Sequence, residues 1–197
     1  VEAPVEQIYD LLESDPIKAL ALSEELMSLS NDRQERDSIS WARGYVLVKL
    51  GRFGEAKRIW ESNFDLTGDH KALHQIGMVE REAGNFDAAL KIYKQERRLI
   101  KIEDRVAVCA NLYELALCSF MAGKKAEASK YFVEYENFVS EDPIERGCFY
   151  RLKGDLFKET EIALARSAYE RSLEFFQRAG ASFAAQEVES RLKSLRD

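Results

Sequence analysis

Residues Gly44–Trp60 read GYVLVKLGRFGEAKRIW, and residues Gly77–Tyr93 read GMVEREAGNFDAALKIY. Six landmarks recur thirty-three residues apart: Gly44 and Gly77, Gly51 and Gly84, Phe53 and Phe86, Ala56 and Ala89, Ile59 and Ile92, Trp60 and Tyr93. Fixed self-similarity at this period is the mark of stacked helical hairpins, none of which can bury its apolar face alone. The expected fold is therefore all-α, a right-handed α-solenoid of antiparallel helix pairs with a C-terminal capping helix.

The glycines and alanines have separate tasks in this reading. Gly51, Gly84 and Gly123 end the first helix of a pair, where a left-handed residue satisfies orphan carbonyls. Gly44 and Gly77 fall inside helices, where glycine costs about 1 kcal/mol against alanine. A small residue there lets a neighbour approach closely, and Ala56, Ala89 and Ala128 do the same on the second helices. Trp60, Tyr93 and Phe132 follow those alanines by one turn and are expected to fill the space between pairs.

Working outward, the pattern predicts eleven helices, near 4–13, 16–29, 35–50, 53–66, 70–83, 86–101, 104–122, 125–139, 143–159, 162–178 and 181–195. Asp15–Pro16 and Asp142–Pro143 each set an N-cap acid before a proline at the first helical position, and Glu145 completes a capping-box pattern. No segment alternates β-branched residues, so no sheet is expected.

The repeat resembles the tetratricopeptide repeat (TPR), which pairs a Gly or Ala in helix A with Ala and an aromatic in helix B. The resemblance spans residues 1–197 as a single superhelical domain: a degenerate pair at 4–30, repeats at about 37–69, 70–102, 109–141 and 147–178, and a cap at 181–195 with Phe183, Val188, Leu192 and Leu195 expected on one side. The proline that closes helix B in the family pattern is absent from every copy. A second likeness is to the TPR sensor regions of Gram-positive peptide-pheromone regulators, carried by the serial repeats and by YERSLEFFQRAGASFAAQEV from Tyr169 to Val188.

What the first resemblance implies is a partner segment lying along helix A. By register, that face takes Ser38, Trp41, Tyr45 and Lys49 from one copy and Lys71, His74, Met78 and Arg81 from the next. Tyr113, Leu117 and Phe120 come from the third copy, and Arg151, Asp155 and Lys158 from the fourth. Aromatic anchors with interspersed cations suit a peptide bearing apolar and acidic side chains. The same aromatics would equally serve as core. Chaperone-tail receptors of the family use Lys and Asn where Trp41 and Tyr45 stand here, so that subtype does not match. The second resemblance implies a peptide-gated regulator whose superhelix changes shape on ligand binding.

Bulk properties agree with a binding module. The chain has 197 residues, 29 basic and 35 acidic, for a net charge of −6, which lacks the footprint of a nucleic-acid binder. Three cysteines without a CxxC fit a reducing, cytoplasmic setting and inert thiols. No apolar run approaches the ~20 residues of a membrane span. No signal peptide is visible, and the start at Val1 reads as a trimmed sequence that leaves room for an upstream domain. His70 and His74 share one helix face, but Lys71 and Ala72 stand where HExxH needs its glutamate, so no metal is expected. No nucleophile elbow or phosphate loop occurs, and neither enzyme activity nor a cofactor is expected. Lys91, Lys94, Arg98 and Lys101 form one stripe of a helix B and read as a solvated face. An exposed repeat edge leaves self-association open.

Overall fold

The computed structural model describes residues 4–195. Eleven helices and no strand occur among them: α1 (Pro4–Leu11), α2 (Pro16–Leu29), α3 (Arg33–Lys49), α4 (Phe53–Thr67), α5 (His70–Glu82), α6 (Phe86–Arg97), α7 (Arg105–Met121), α8 (Lys125–Glu136), α9 (Pro143–Phe157), α10 (Ile162–Arg178) and α11 (Ser182–Ser194). They form two compact units, Val1–Leu99 and Ile100–Asp197. In each, consecutive helices pack on one another across short connections, as antiparallel neighbours must.

Local chemistry explains the boundaries. Asp15 accepts the Lys18 amide at 3.0 Å, and Asp142 accepts those of Ile144 and Glu145 at 2.9 and 3.1 Å. Glu145 does not close the box on Asp142; its carboxylate instead takes the amide and hydroxyl of Ser140 at 2.9 and 2.8 Å. The turn inside each pair is one motif reused. Gly51, Gly84 and Gly123 sit at φ of 71°, 78° and 73°. The amide after each reaches back five residues, a six-to-one bond: Arg52 to Leu47, Asn85 to Glu80 and Lys124 to Ser119, each at 2.8 Å.

The repeat landmarks meet inside the pairs. A Cβ built on Gly44 would lie 2.5 Å from the Trp60 ring, and one on Gly77 2.6 Å from the Tyr93 ring. Gly154 takes Tyr169 in the same way, at 2.4 Å. Each helix A glycine is thus the seat of its own helix B aromatic. Trp60 and Tyr93 are fully buried, and Trp60 shares one core cluster with Leu73, Ile76 and Val79 of the next helix A. Phe132 differs: its ring stacks on Phe149 of α9 at 5.0 Å.

Two local expectations need correction. The cation stripe does not run along one helix, because α6 ends at Arg97 and leaves Arg98 as its cap and Lys101 beyond it. On α11, Phe183 does not join Val188 on the buried side. It is 75% exposed, while Ala185 and Val188 pack on Tyr169 and Phe176.

Candidate functional site

The helix A face of the first unit is built on Trp60. Because Gly44 admits the indole, Trp60 supports two neighbours one turn apart on α3. Tyr45 packs edge-on against it at 5.3 Å and Trp41 at 6.1 Å. The Trp41 indole N–H donates to the Tyr45 hydroxyl at 3.4 Å, and Tyr9 of α1 leans on Tyr45 at 6.1 Å. Burial raises both tyrosine pKa values, Tyr45 itself adding to the rise at Tyr9. Trp41 and Tyr45 are half-buried and Tyr9 is 40% exposed, so the three rings form a strip open to solvent. Tyr9 was not among the sequence candidates, since α1 belongs to the degenerate pair and carries no landmark.

The other first-unit candidates are more committed. Lys49 pairs with Glu13 at 2.7 Å, and the exposed Ser38 hydroxyl donates to the Gln34 carbonyl at 3.0 Å. Met78 packs against the core around Leu47 and Trp60. Arg81 lies 2.9 Å from Glu82, and Lys71 is exposed. His74 Nδ1 stands 3.0 and 3.2 Å from the carboxylate oxygens of Glu96, with His70 Nδ1 at 3.7 Å. Glu96 is 1% exposed and comes from α6. An acid on the core side of a helix B was the missed signal, three residues after Tyr93. Among the described residues no group of three His, Cys, Asp or Glu side chains is arranged to hold a metal ion.

In the second unit the structure ties most of the candidates to one another and to α11. Arg151 is the hub. It donates to the Tyr113 hydroxyl at 3.0 Å and to Glu187 at 2.6 Å, and lies 5.5 Å from the Phe176 ring centre. Asp155 accepts from the Tyr169 hydroxyl at 2.7 Å and from Arg191 at 3.2 Å. Lys158 sits 5.8 Å over the Phe120 ring, and Leu117 is half-buried. Burial pushes the Tyr113 phenol up to about 12, against the opposing pull of Arg151. The thiols are quiet: burial takes Cys109 up to about 11, with the Glu145 charge adding to the shift.

Glycine-seated aromatics, six-to-one turns and a thirty-three-residue period define a protein of the α-helical repeat class with TPR-like hairpins. No protein-family model and no curated relative matches the chain. Among solved structures, a MamA RS-1 double mutant superposes with a TM-score of 0.55 at 11% identity, covering 90% of this chain and 97% of that one. That likeness shows an α-solenoid fold. The C-terminal part of a TPR repeat-containing protein from Cytophaga hutchinsonii aligns over 97% of this chain and 95% of its own at 14% identity, but its TM-score of 0.33 is too loose to add to the assignment. No helix among the described residues is long and apolar enough to cross a membrane.

Proposed function

We propose that this chain is a non-enzymatic, cytoplasmic scaffold that captures a segment of a partner protein on its helix A face. The observation that carries the reading is the open strip of Tyr9, Tyr45 and Trp41, held from beneath by Trp60. Rigid aromatic rings give up large apolar area on contact for little lost entropy, which is why they anchor binding surfaces. Lys71 adds an exposed cation on the same set of helix A positions. The test is affinity capture from host extract with the natural chain beside a Trp41→Ala/Tyr45→Ala variant of equal helicity. A protein retained by the first and lost by the second supports the site. A protein retained equally by both refutes it.

One observation favours a second reading, a peptide-gated regulator. Arg151 of the helix A face already holds a carboxylate, that of Glu187 on α11. An acidic ligand competing for Arg151 would release that contact and shift the helix, a population shift driven by differential affinity. Small-angle scattering with and without a captured peptide separates the readings: a change of dimensions supports the regulator, and binding at constant dimensions supports the scaffold.

A further inference from the structure

Two open depressions lie on the helix B side of the first unit, and they are the same groove one repeat apart. The first holds 380 Å³ between α2 and α4 over α3, the second 540 Å³ between α4 and α6 over α5. Seven lining positions of the first recur in the second at a shift of thirty-three, from Ser40 and Leu73 at one end to Ser62 and Gln95 at the other. The groove is therefore a product of the repeat, while its charge is a local choice of sequence.

That choice differs between the copies. In the second groove Glu61, Asp65 and Glu80 face Lys57 and Lys91, and Lys57 is taken by Glu80 at 2.6 Å. In the first the sole lining acid is Glu55, whose carboxylate is held by Arg52 through two bonds of 2.7 and 2.8 Å. Arg43 is steadied by Glu24 at 3.1 Å. Arg58 is exposed and makes no hydrogen bond or ion pair among the described residues, and the Ser40 and Ser62 hydroxyls are equally uncommitted. Beneath them Leu47 and Ile59 supply an apolar floor. The result is a cationic slot with two spare hydroxyls over an apolar base.

We propose that this first groove docks an acidic segment of a partner protein, with a carboxylate on Arg58 beside Arg43 and an adjacent apolar side chain on Ile59, above the buried Leu47. Guanidinium and hydroxyl donors complement a carboxylate, and the apolar floor rewards a neighbouring leucine. Trp41 of the aromatic strip borders the groove, lining with Asp37 a small adjoining pocket that shares Ser40, Ile59 and Ser62, whereas Tyr45 and Tyr9 line neither.

The test uses the full chain and two fluorescein-labelled nonapeptides, one repeating Glu-Glu-Leu and one repeating Lys-Lys-Leu, read by anisotropy at low salt. The acidic peptide is expected to bind about tenfold more tightly, and Arg58→Glu to remove that preference. Lys91→Glu, the matching change in the second groove, is expected to leave binding within about twofold, as is Tyr9→Ala/Tyr45→Ala. Arg58 is exposed, so its reversal leaves the fold intact, as circular dichroism will verify. Equal binding of the two peptides, no binding of the acidic one, or indifference to Arg58→Glu overturns the proposal. Loss in the Tyr9/Tyr45 variant assigns the peptide to the helix A face instead, which overturns this site while supporting the other.

Discussion

Replacing Gly44 with alanine tests the packing logic of the repeat most directly. In an unobstructed helix interior, Gly→Ala stabilises by about 0.5–1 kcal/mol through helix propensity. At Gly44 the new methyl would stand 2.5, 2.8 and 2.9 Å from three atoms of the Trp60 indole. Those are rigid ring atoms of a side chain with no exposed surface, so the ring must shift as a body and disturb Tyr45 and Trp41. Such overpacking costs about 1–3 kcal/mol. The net expectation is a loss of about 0.5–2 kcal/mol, opposite in sign to propensity. Gly54 provides the control, because a Cβ there meets nothing within 4 Å. Gly54→Ala should therefore stabilise. Both variants are compared with the natural chain by urea denaturation followed at 222 nm, and again in a Trp60→Leu background, where the Gly44→Ala penalty should vanish. If Gly44→Ala stabilises as much as Gly54→Ala, the glycine is not a seat for the indole and the reasoning fails.

Further outcomes follow from other sites. Glu145 has its carboxyl drawn down to about 2, chiefly by the Arg105 hydrogen bonds at 2.8 and 2.9 Å, working against burial and helped by Ser140. A depressed folded pKa stabilises above the unfolded value near 4.5 and is lost as pH falls toward 2, so about 1–2 kcal/mol should vanish across that window, after allowing for screening of the part-exposed pair. Glu145→Gln should remove that part of the acid dependence, measured as urea stability at pH 7, 4 and 2.5. Arg151→Met leaves the Tyr113 hydroxyl and Glu187 without their shared donor and should destabilise the second unit by about 1–3 kcal/mol, with faster amide exchange in α11. Unchanged exchange there would mean that α11 is held by its apolar side and the Arg191–Asp155 bond without help from Arg151. Ala89→Trp places an indole one turn from Tyr93 at a position with no exposed surface, and a loss of about 1–3 kcal/mol with local unfolding of α5 and α6 is expected. An unaltered melt would refute the register.

Much of the fold was legible because repetition amplifies weak local signals. Gly51, Gly84 and Gly123 marked turns whose bonds proved identical, and the alanines marked fully buried positions. Helix ends were less legible. The stretch after Arg97 keeps a helical pattern of cations, yet the helix stops there, since charged residues of good propensity do not by themselves mark an end. Phe183 misled for a related reason: an aromatic on an amphipathic helix suggests core, but it is the Ala185 and Val188 side of α11 that meets Tyr169 and Phe176. The site was legible only as a face. Register placed Trp41 and Tyr45 on α3, but contacts between distant segments lie outside any local pattern. Tyr9 beside Tyr45, Glu96 beside the two histidines and Glu187 on Arg151 are pairings of that kind. The outer grooves were invisible for the same reason, although their thirty-three-residue correspondence is written in the same period that revealed the fold.

The seating of Trp60, Tyr93 and Tyr169 on a glycine of their own hairpin bears on how such a chain can grow. A segment cut between pairs and copied in tandem carries its closure with it, because Gly44 travels with Trp60 and Gly77 with Tyr93. The new junction has only to match generic apolar surface, and no lock must be re-evolved across it. Selection is then free to redraw the outer charges of each copy independently, as Glu55 and Ala88 already illustrate at equivalent positions. Duplication supplies the architecture, and drift at solvent-facing positions supplies the diversity of what is recognised.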